Sequence, residues 1–194
     1  MGETIVFRGC MNRRKIDRRE FLRLGVLASV AVLSPVPAFG STGRLSPSAR
    51  ALSLFNTHTG ETLESIYRRN GRYRPEALAR INHILRDHRT GDVASIDPGL
   101  LDLLHALSRE VGSREPFHII SGYRSPATNA MLHRRSRHVA THSLHMQGKA
   151  VDIRLPDCDL DRLRQAARDL SRGGVGFYPK SNFVHVDVGR VRFW

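Results

Sequence analysis

The sequence predicts a single α+β domain, a small mixed and mainly antiparallel sheet flanked by helices. Three observations carry that expectation. Short apolar runs of strand length, at residues 52–56, 62–67, 116–121, 150–153, 175–178 and 183–188, alternate with longer segments whose apolar residues recur at helical spacing. Two pairs of these runs, 52–56 with 62–67 and 175–178 with 183–188, are joined by only a few turn-forming residues, which favours antiparallel neighbours. A chain of 194 residues has room for one sizeable core and needs no second one.

Residues 1–40 read as an export signal rather than part of the fold. Arg13, Arg14, Lys15, Arg18 and Arg19 form a basic region, residues 22–33 are weakly apolar, and 35–40 end in small residues, so that cleavage fits after Ala38 or Gly40. The apolar run is too short for a convincing membrane span, and no stable span is expected after processing. Asp17-Arg18-Arg19-Glu20-Phe21-Leu22-Arg23 resembles a twin-arginine motif, with an acidic residue where serine or threonine is commoner. It implies the twin-arginine (Tat) export machinery as a partner and the periplasm or cell envelope as destination; an ordinary secretory signal or an uncleaved anchor is the alternative. Residues 41–50, rich in Ser, Pro and Arg, are expected to be a linker, and 51–194 the folded domain.

Within that domain, 52–56 and 62–67 bracket His58-Thr59-Gly60-Glu61 as a β-hairpin, with His58 suited to the turn. Pro75 opens a helix to Asp87 with Leu78, Ile81 and Leu85 on one face. Asp97-Pro98 starts another, in which Leu100, Leu101, Leu104 and Leu107 supply a core stripe. His83, His88 and His105 read as solvated helix residues. A strand at 116–121 delivers Gly122-Tyr123-Arg124-Ser125-Pro126 at its C-terminal end, where functional loops gather. A short helix at 129–133 and a basic loop at 134–138 follow. Residues 159–171 form an amphipathic helix with Leu160, Leu163, Ala167 and Leu170 inward and its arginines solvated. A last strand at 191–194 is expected to close the core with Phe193 and Trp194.

The formal charge is +13, and removing the seven basic and three acidic residues of 1–40 still leaves +9 on the remainder. Such a balance favours polyanions: nucleic acid, an anionic membrane or an acidic wall polymer. No helix-turn-helix, zinc-finger or RNP-like pattern occurs, and an export signal argues against nucleic acid as a partner. Of the two cysteines, Cys10 leaves with the signal, so Cys158 is a lone thiol and no internal disulfide forms.

The chemistry concentrates in residues 143–154 and 183–188. His145, Asp152 and His185 are candidate ligands for one divalent ion: two imidazoles and one carboxylate suit zinc, and three protein ligands leave a coordination position open. Gly148 separates the first two ligands, placing His145 on a loop and Asp152 on a strand. His185 and Asp187, two apart, share the strand face away from Val184, Val186 and Val188. His138 and His142 are rival ligands. Ordinary partly buried histidines and a turn aspartate are the bland alternative. Arg124 suits a bidentate grip on a substrate carboxylate, or a salt bridge within its own loop.

Ser143-x-His145-x-x-Gly148-x-Ala150-x-Asp152 resembles the first metal motif of the M15-type zinc peptidases, which share a D-alanyl-D-alanine peptidase and Hedgehog-like fold. Phe183-Val184-His185-Val186-Asp187 resembles their second motif, and Ser121-Gly122-Tyr123-Arg124-Ser125-Pro126 the segment that precedes both. Residues 174–179 and Arg192-Phe193-Trp194 are similar to an exported bacterial subgroup formerly known only as a domain of unknown function, which includes murein endopeptidases. The resemblance implies one zinc ion on His145, Asp152 and His185, substrate contacts from Arg124, Ser121 and Tyr123, and hydrolysis of an amide in peptidoglycan stem-peptide crosslinks. A D,D- or L,D-carboxypeptidase and a wall-binding protein without catalysis are its alternatives. Several such enzymes carry a glutamate or histidine just upstream of the last ligand as general base, where this chain has Ser181 and Asn182. Asp187 is then the candidate base, and orienting a ligand histidine is its other possible role.

Overall fold

The computed structural model describes residues 48–136 and 139–194. The expected export signal at 1–40, most of the linker and His138 lie outside them. The described chain is α+β, with four α-helices and one eight-stranded sheet, larger than the small sheet expected.

A hairpin of β1 (Ala49–Asn56) and β2 (Thr62–Arg69) opens the domain, so the first strand already takes in Ala49 and Arg50. A second tight turn at Asn70-Gly71, both at positive φ, adds the two-residue β3 (Arg72–Tyr73) as one border. Next come α1 (Pro75–Ile84), α2 (Pro98–Val111), β4 (Phe117–Ser121), α3 (Pro126–Arg135), β5 (Ala150–Arg154), α4 (Leu160–Leu170), β6 (Gly174–Tyr178), β7 (Phe183–Asp187) and β8 (Arg192–Phe193). The strand order is β3-β2-β1-β4-β5-β7-β6-β8, antiparallel except for β1 with β4 and β6 with β8.

Helix α2 forms where its signals say: Asp97 accepts from the Gly99 amide at 2.8 Å, Pro98 fills the first turn, and Gly112 ends it in the left-handed region. Its Leu100, Leu101, Leu104 and Leu107 are buried with Leu163 of α4 against Leu54, Phe117, Ile119, Val151, Ile153, Val184 and Val186 of the sheet. That packing leaves the other sheet face to the polar residues of β5 and β7. Helix α1 ends earlier than its apolar pattern suggests, because Leu85 and Asp87 hold the loop after β4. The Leu85 carbonyl accepts from the Tyr123 amide at 2.7 Å, and Asp87 from the Ser125 amide at 2.8 Å.

The expectation that Phe193 and Trp194 close the core is corrected: they are 44% and 51% exposed. Phe193 lies under the Arg168 guanidinium on the helical side, and Arg164 covers Phe177 likewise, so two of the α4 arginines lie over rings rather than reaching free into solvent. Trp194 turns to the other face.

Candidate active site

One row across the sheet builds the site. Ser121 pairs with Asp152, Asp152 with His185, and His185 with Gly176, so residues far apart in sequence become lateral neighbours. A register shift between Ile119 and Ser121 carries Ser121 opposite Asp152, away from the core alternation of β4. His145 joins from a 3-10 turn, Leu144–Gln147, capped by Ser143 and ended by Gly148 at φ +66. A side chain at Gly148 would strike the Ser95 carbonyl oxygen, so glycine alone fits this turn.

The three candidate ligands offer one atom each within 4.8 Å of one another, all buried. His145 Nδ1 donates to the Gly122 carbonyl at 2.7 Å, and its Nε2 faces Asp152 Oδ1 at 3.2 Å and His185 Nδ1 at 3.2 Å. His185 Nε2 donates to Asp187 Oδ2 at 3.1 Å, while its Nδ1 lies 2.9 Å from Asp152 Oδ1. With an acceptor beyond each ring, Gly122 for His145 and Asp187 for His185, both imidazoles can turn an unprotonated nitrogen, and Asp152 an oxygen, to a common point. Such a set fits a divalent cation. Burial disfavours an imidazolium at His185, yet contacts with Asp152 and Asp187 outweigh it and push its pKa up. Burial pushes His145 down, against the attraction of Asp152. Burial would raise Asp152, but His145, His185 and Arg124 hold it well below the usual carboxylate range.

Behind the row, Asp187 is fully buried. It accepts from the Gly174 amide at 3.0 Å, the Gly189 amide at 2.8 Å and Arg192 Nη2 at 2.7 Å, as well as from His185. These donors outweigh burial and keep it ionised. Arg124 donates from Nε to Ser121 Oγ at 2.8 Å and from Nη2 to Asp152 Oδ2. Two of its five N–H donors are therefore engaged within the protein, on the Nε side of the guanidinium, which leaves Nη1 and the second Nη2 hydrogen over. Ser121 holds Arg124 rather than facing the cavity, and Tyr123 packs on the core; neither lines the cavity beside Arg124.

That cavity, about 840 Å³, is lined by Arg124, His145, Asp152 and His185, by Val139, Ala140 and His142, and by Tyr178, Phe183 and Trp194. Asp187 is not in its lining. His142 lines it but is not one of the converging ligands. His58 and His88 stack at 3.7 Å away from it. Arg192 and Trp194 are the site residues that pattern reading misses. They reach Asp187 and His185 on β7 by lying over Gly174 and Gly176 of β6, where any side chain would collide with them. Alternate glycines on a strand were the available signal.

Two imidazoles and a carboxylate gathered on a mixed sheet beside a deep cavity are the arrangement that the motifs of an M15-type peptidase lead one to expect. The chain belongs to the Peptidase_M15_2 family, described as peptidoglycan L,D-endopeptidase MepK, whose model matches residues 44–194. It is 44% identical over 184 residues to peptidoglycan L,D-endopeptidase MepK of Escherichia coli (strain K12), covering 95% of this chain and 100% of that one. It is 38% identical over 187 residues to the probable peptidoglycan L,D-endopeptidase MepK of Haemophilus influenzae, covering 95% and 98%. Among solved structures, Serratia marcescens L-Ala D-Glu endopeptidase ChiX is similar over 40% of this chain and 62% of its own, at 25% identity and a TM-score of 0.32.

Proposed function

We propose that this chain is an exported single-zinc peptidase that cuts an amide bond in peptidoglycan stem-peptide crosslinks. The observation that carries the metal is the convergence of one atom each from His145, Asp152 and His185 within 4.8 Å, with acceptors at Gly122 and Asp187 for the outer ring nitrogens. The substrate is supported by relatives named peptidoglycan L,D-endopeptidases that match along almost the whole chain. Zinc suits two nitrogens and one oxygen, and when bound supplies Lewis-acid polarisation of the scissile carbonyl and acidification of water.

The chain's own residues do the rest. Gly122 and Asp187 fix the tautomers of His145 and His185, and Arg124 holds Asp152 Oδ2 so that Oδ1 turns to the metal point. Asp187, buried behind His185 and surrounded by donors, is an orienting residue rather than the general base. Proton transfer falls to His142, the imidazole on the cavity lining outside the ligand set, which takes the proton from water and returns it to the leaving amine. Endopeptidase action is favoured over carboxypeptidase action because the relatives that match along almost the whole chain are named endopeptidases. Residues 1–40 serve as a twin-arginine export signal and the residues from there to β1 as a linker, delivering the basic domain to an anionic wall in the periplasm or cell envelope.

The test is metal content together with digestion of purified sacculi. One zinc per chain and new muropeptides that disappear with chelator are expected. Pelleting with sacculi without products would leave a binding protein, and chelator-insensitive cleavage would refute the metal reading.

A further inference from the structure

Trp194 is half exposed and yet firmly placed. Its amide donates to the Val175 carbonyl at 3.2 Å, its carbonyl accepts from the Phe177 amide at 3.0 Å, and Nε1–H donates to Tyr178 Oη at 2.8 Å. The indole lies over Gly176, where a Cβ would stand 2.7 Å from Cε2, and its ring centroid is 5.3 Å from that of His185. Beside it Tyr178 and Phe183 stack at 4.6 Å and 20°. All three rings line the cavity of the three candidate ligands.

We propose that Trp194, with the Tyr178–Phe183 stack, is the subsite for the aliphatic part of the side chain adjoining the bond that is cut. This rests on the peptidase reading above. The indole N–H is already bonded within the protein and the Arg192 guanidinium lies over the ring, 4.9 Å from its centroid, so what the platform offers a ligand is apolar area, which a methylene chain fits. A platform held by the backbone and by Gly176 loses little freedom on binding. Reach selects the occupant: an extended residue spans about 3.3–3.6 Å, so a ring about 5 Å from a ligand histidine meets the residue next to the cleaved amide. The glycan joins the stem two or more residues away, roughly 7 Å further on.

Trp194 is the single tryptophan of the chain, so its emission reports on this subsite alone. Glycan-free crosslinked peptide dimers are expected to shift that emission in the wild-type protein. Trp194→Ala is expected to raise KM for the dimers about tenfold, or about 1.4 kcal/mol, with kcat within about twofold and zinc content unchanged, and Trp194→Phe to restore most of the loss. An unchanged KM in Trp194→Ala would overturn the proposal, as would kcat and zinc content falling together at constant KM, which marks a purely structural role. An emission response to tetra-N-acetylchitotetraose but not to the dimers would place the sugar here instead and likewise overturn it. Failure of the wild type to cleave dimers refutes the peptidase reading, whereas the emission titration, read without turnover, still decides the subsite.

Discussion

Replacing Asp187 with asparagine separates its two conceivable roles. The carboxylate receives five hydrogen bonds: from the Gly174 and Gly189 amides, from Nη1 and Nη2 of Arg192, and from His185 Nε2. Asparagine keeps one oxygen for the glycine amides, but its NH₂ then faces Arg192 Nη2 and His185 Nε2, donor against donor. Losing two charge-assisted bonds, one of them to a partly exposed arginine, costs about 2–3 kcal/mol of stability. The imidazole relieves the clash by carrying its proton on Nδ1, the atom turned to Asp152 and His145, and zinc affinity falls about 10–100-fold. Competitive zinc titration with a chromophoric chelator, alongside turnover at saturating zinc and thermal unfolding, measures all three quantities. Turnover should recover in part as zinc is raised. Zinc affinity within twofold of wild type with turnover lost more than about a hundredfold would refute the orienting role and make Asp187 the proton carrier.

Other outcomes follow from the same geometry. His142→Ala should lower turnover by about a hundredfold or more with zinc content unchanged, measured on crosslinked dimers; retained turnover would send the search for the base elsewhere. Gly148→Ala combines a positive φ with a collision against the Ser95 carbonyl and should cost at least about 2 kcal/mol, read as a lowered thermal midpoint. His88 stacks on His58, and burial, then His58, Arg89 and Arg124, outweigh Asp87 and lower its pKa to about 4. The unfolded chain, titrating this group near 6.5, binds the proton more readily, so stability falls as pH drops from 6.5 towards 4. His88→Gln should flatten that stretch of the midpoint-against-pH curve, and an unaltered slope would show the histidine free to charge in the fold.

Much of this architecture is legible in the chain because its local signals agree with its tertiary packing. The stripe Leu100, Leu101, Leu104, Leu107 behind Asp97-Pro98 fixes α2, and the alternation of 183–187 puts His185 and Asp187 on one face of β7. The meeting of His145 with Asp152 and His185 follows from the motif spacing once β5 and β7 pair. What pattern reading could not supply depends on register and side-chain reach. Nothing local says that Arg124 engages Asp152, since that contact needs the irregular pairing of β4 with β5. Trp194 reads as core because large aromatics usually are, and only the empty positions Gly174 and Gly176 explain why it lies elsewhere. The Asn70-Gly71 turn was a readable hairpin signal, but a two-residue strand beyond it has no periodicity to detect.

Both rims of the sheet are stubs, Arg72–Tyr73 and Arg192–Phe193. Long bare borders recruit strands from other molecules, whereas two residues give an incoming chain little to zip onto. At the β8 rim the same short segment that fends off neighbours also brings an indole to the cavity. Trimming residues 191–194 would therefore uncover the whole length of β6, and the expected product is a protein that self-associates as readily as it loses its grip on the wall.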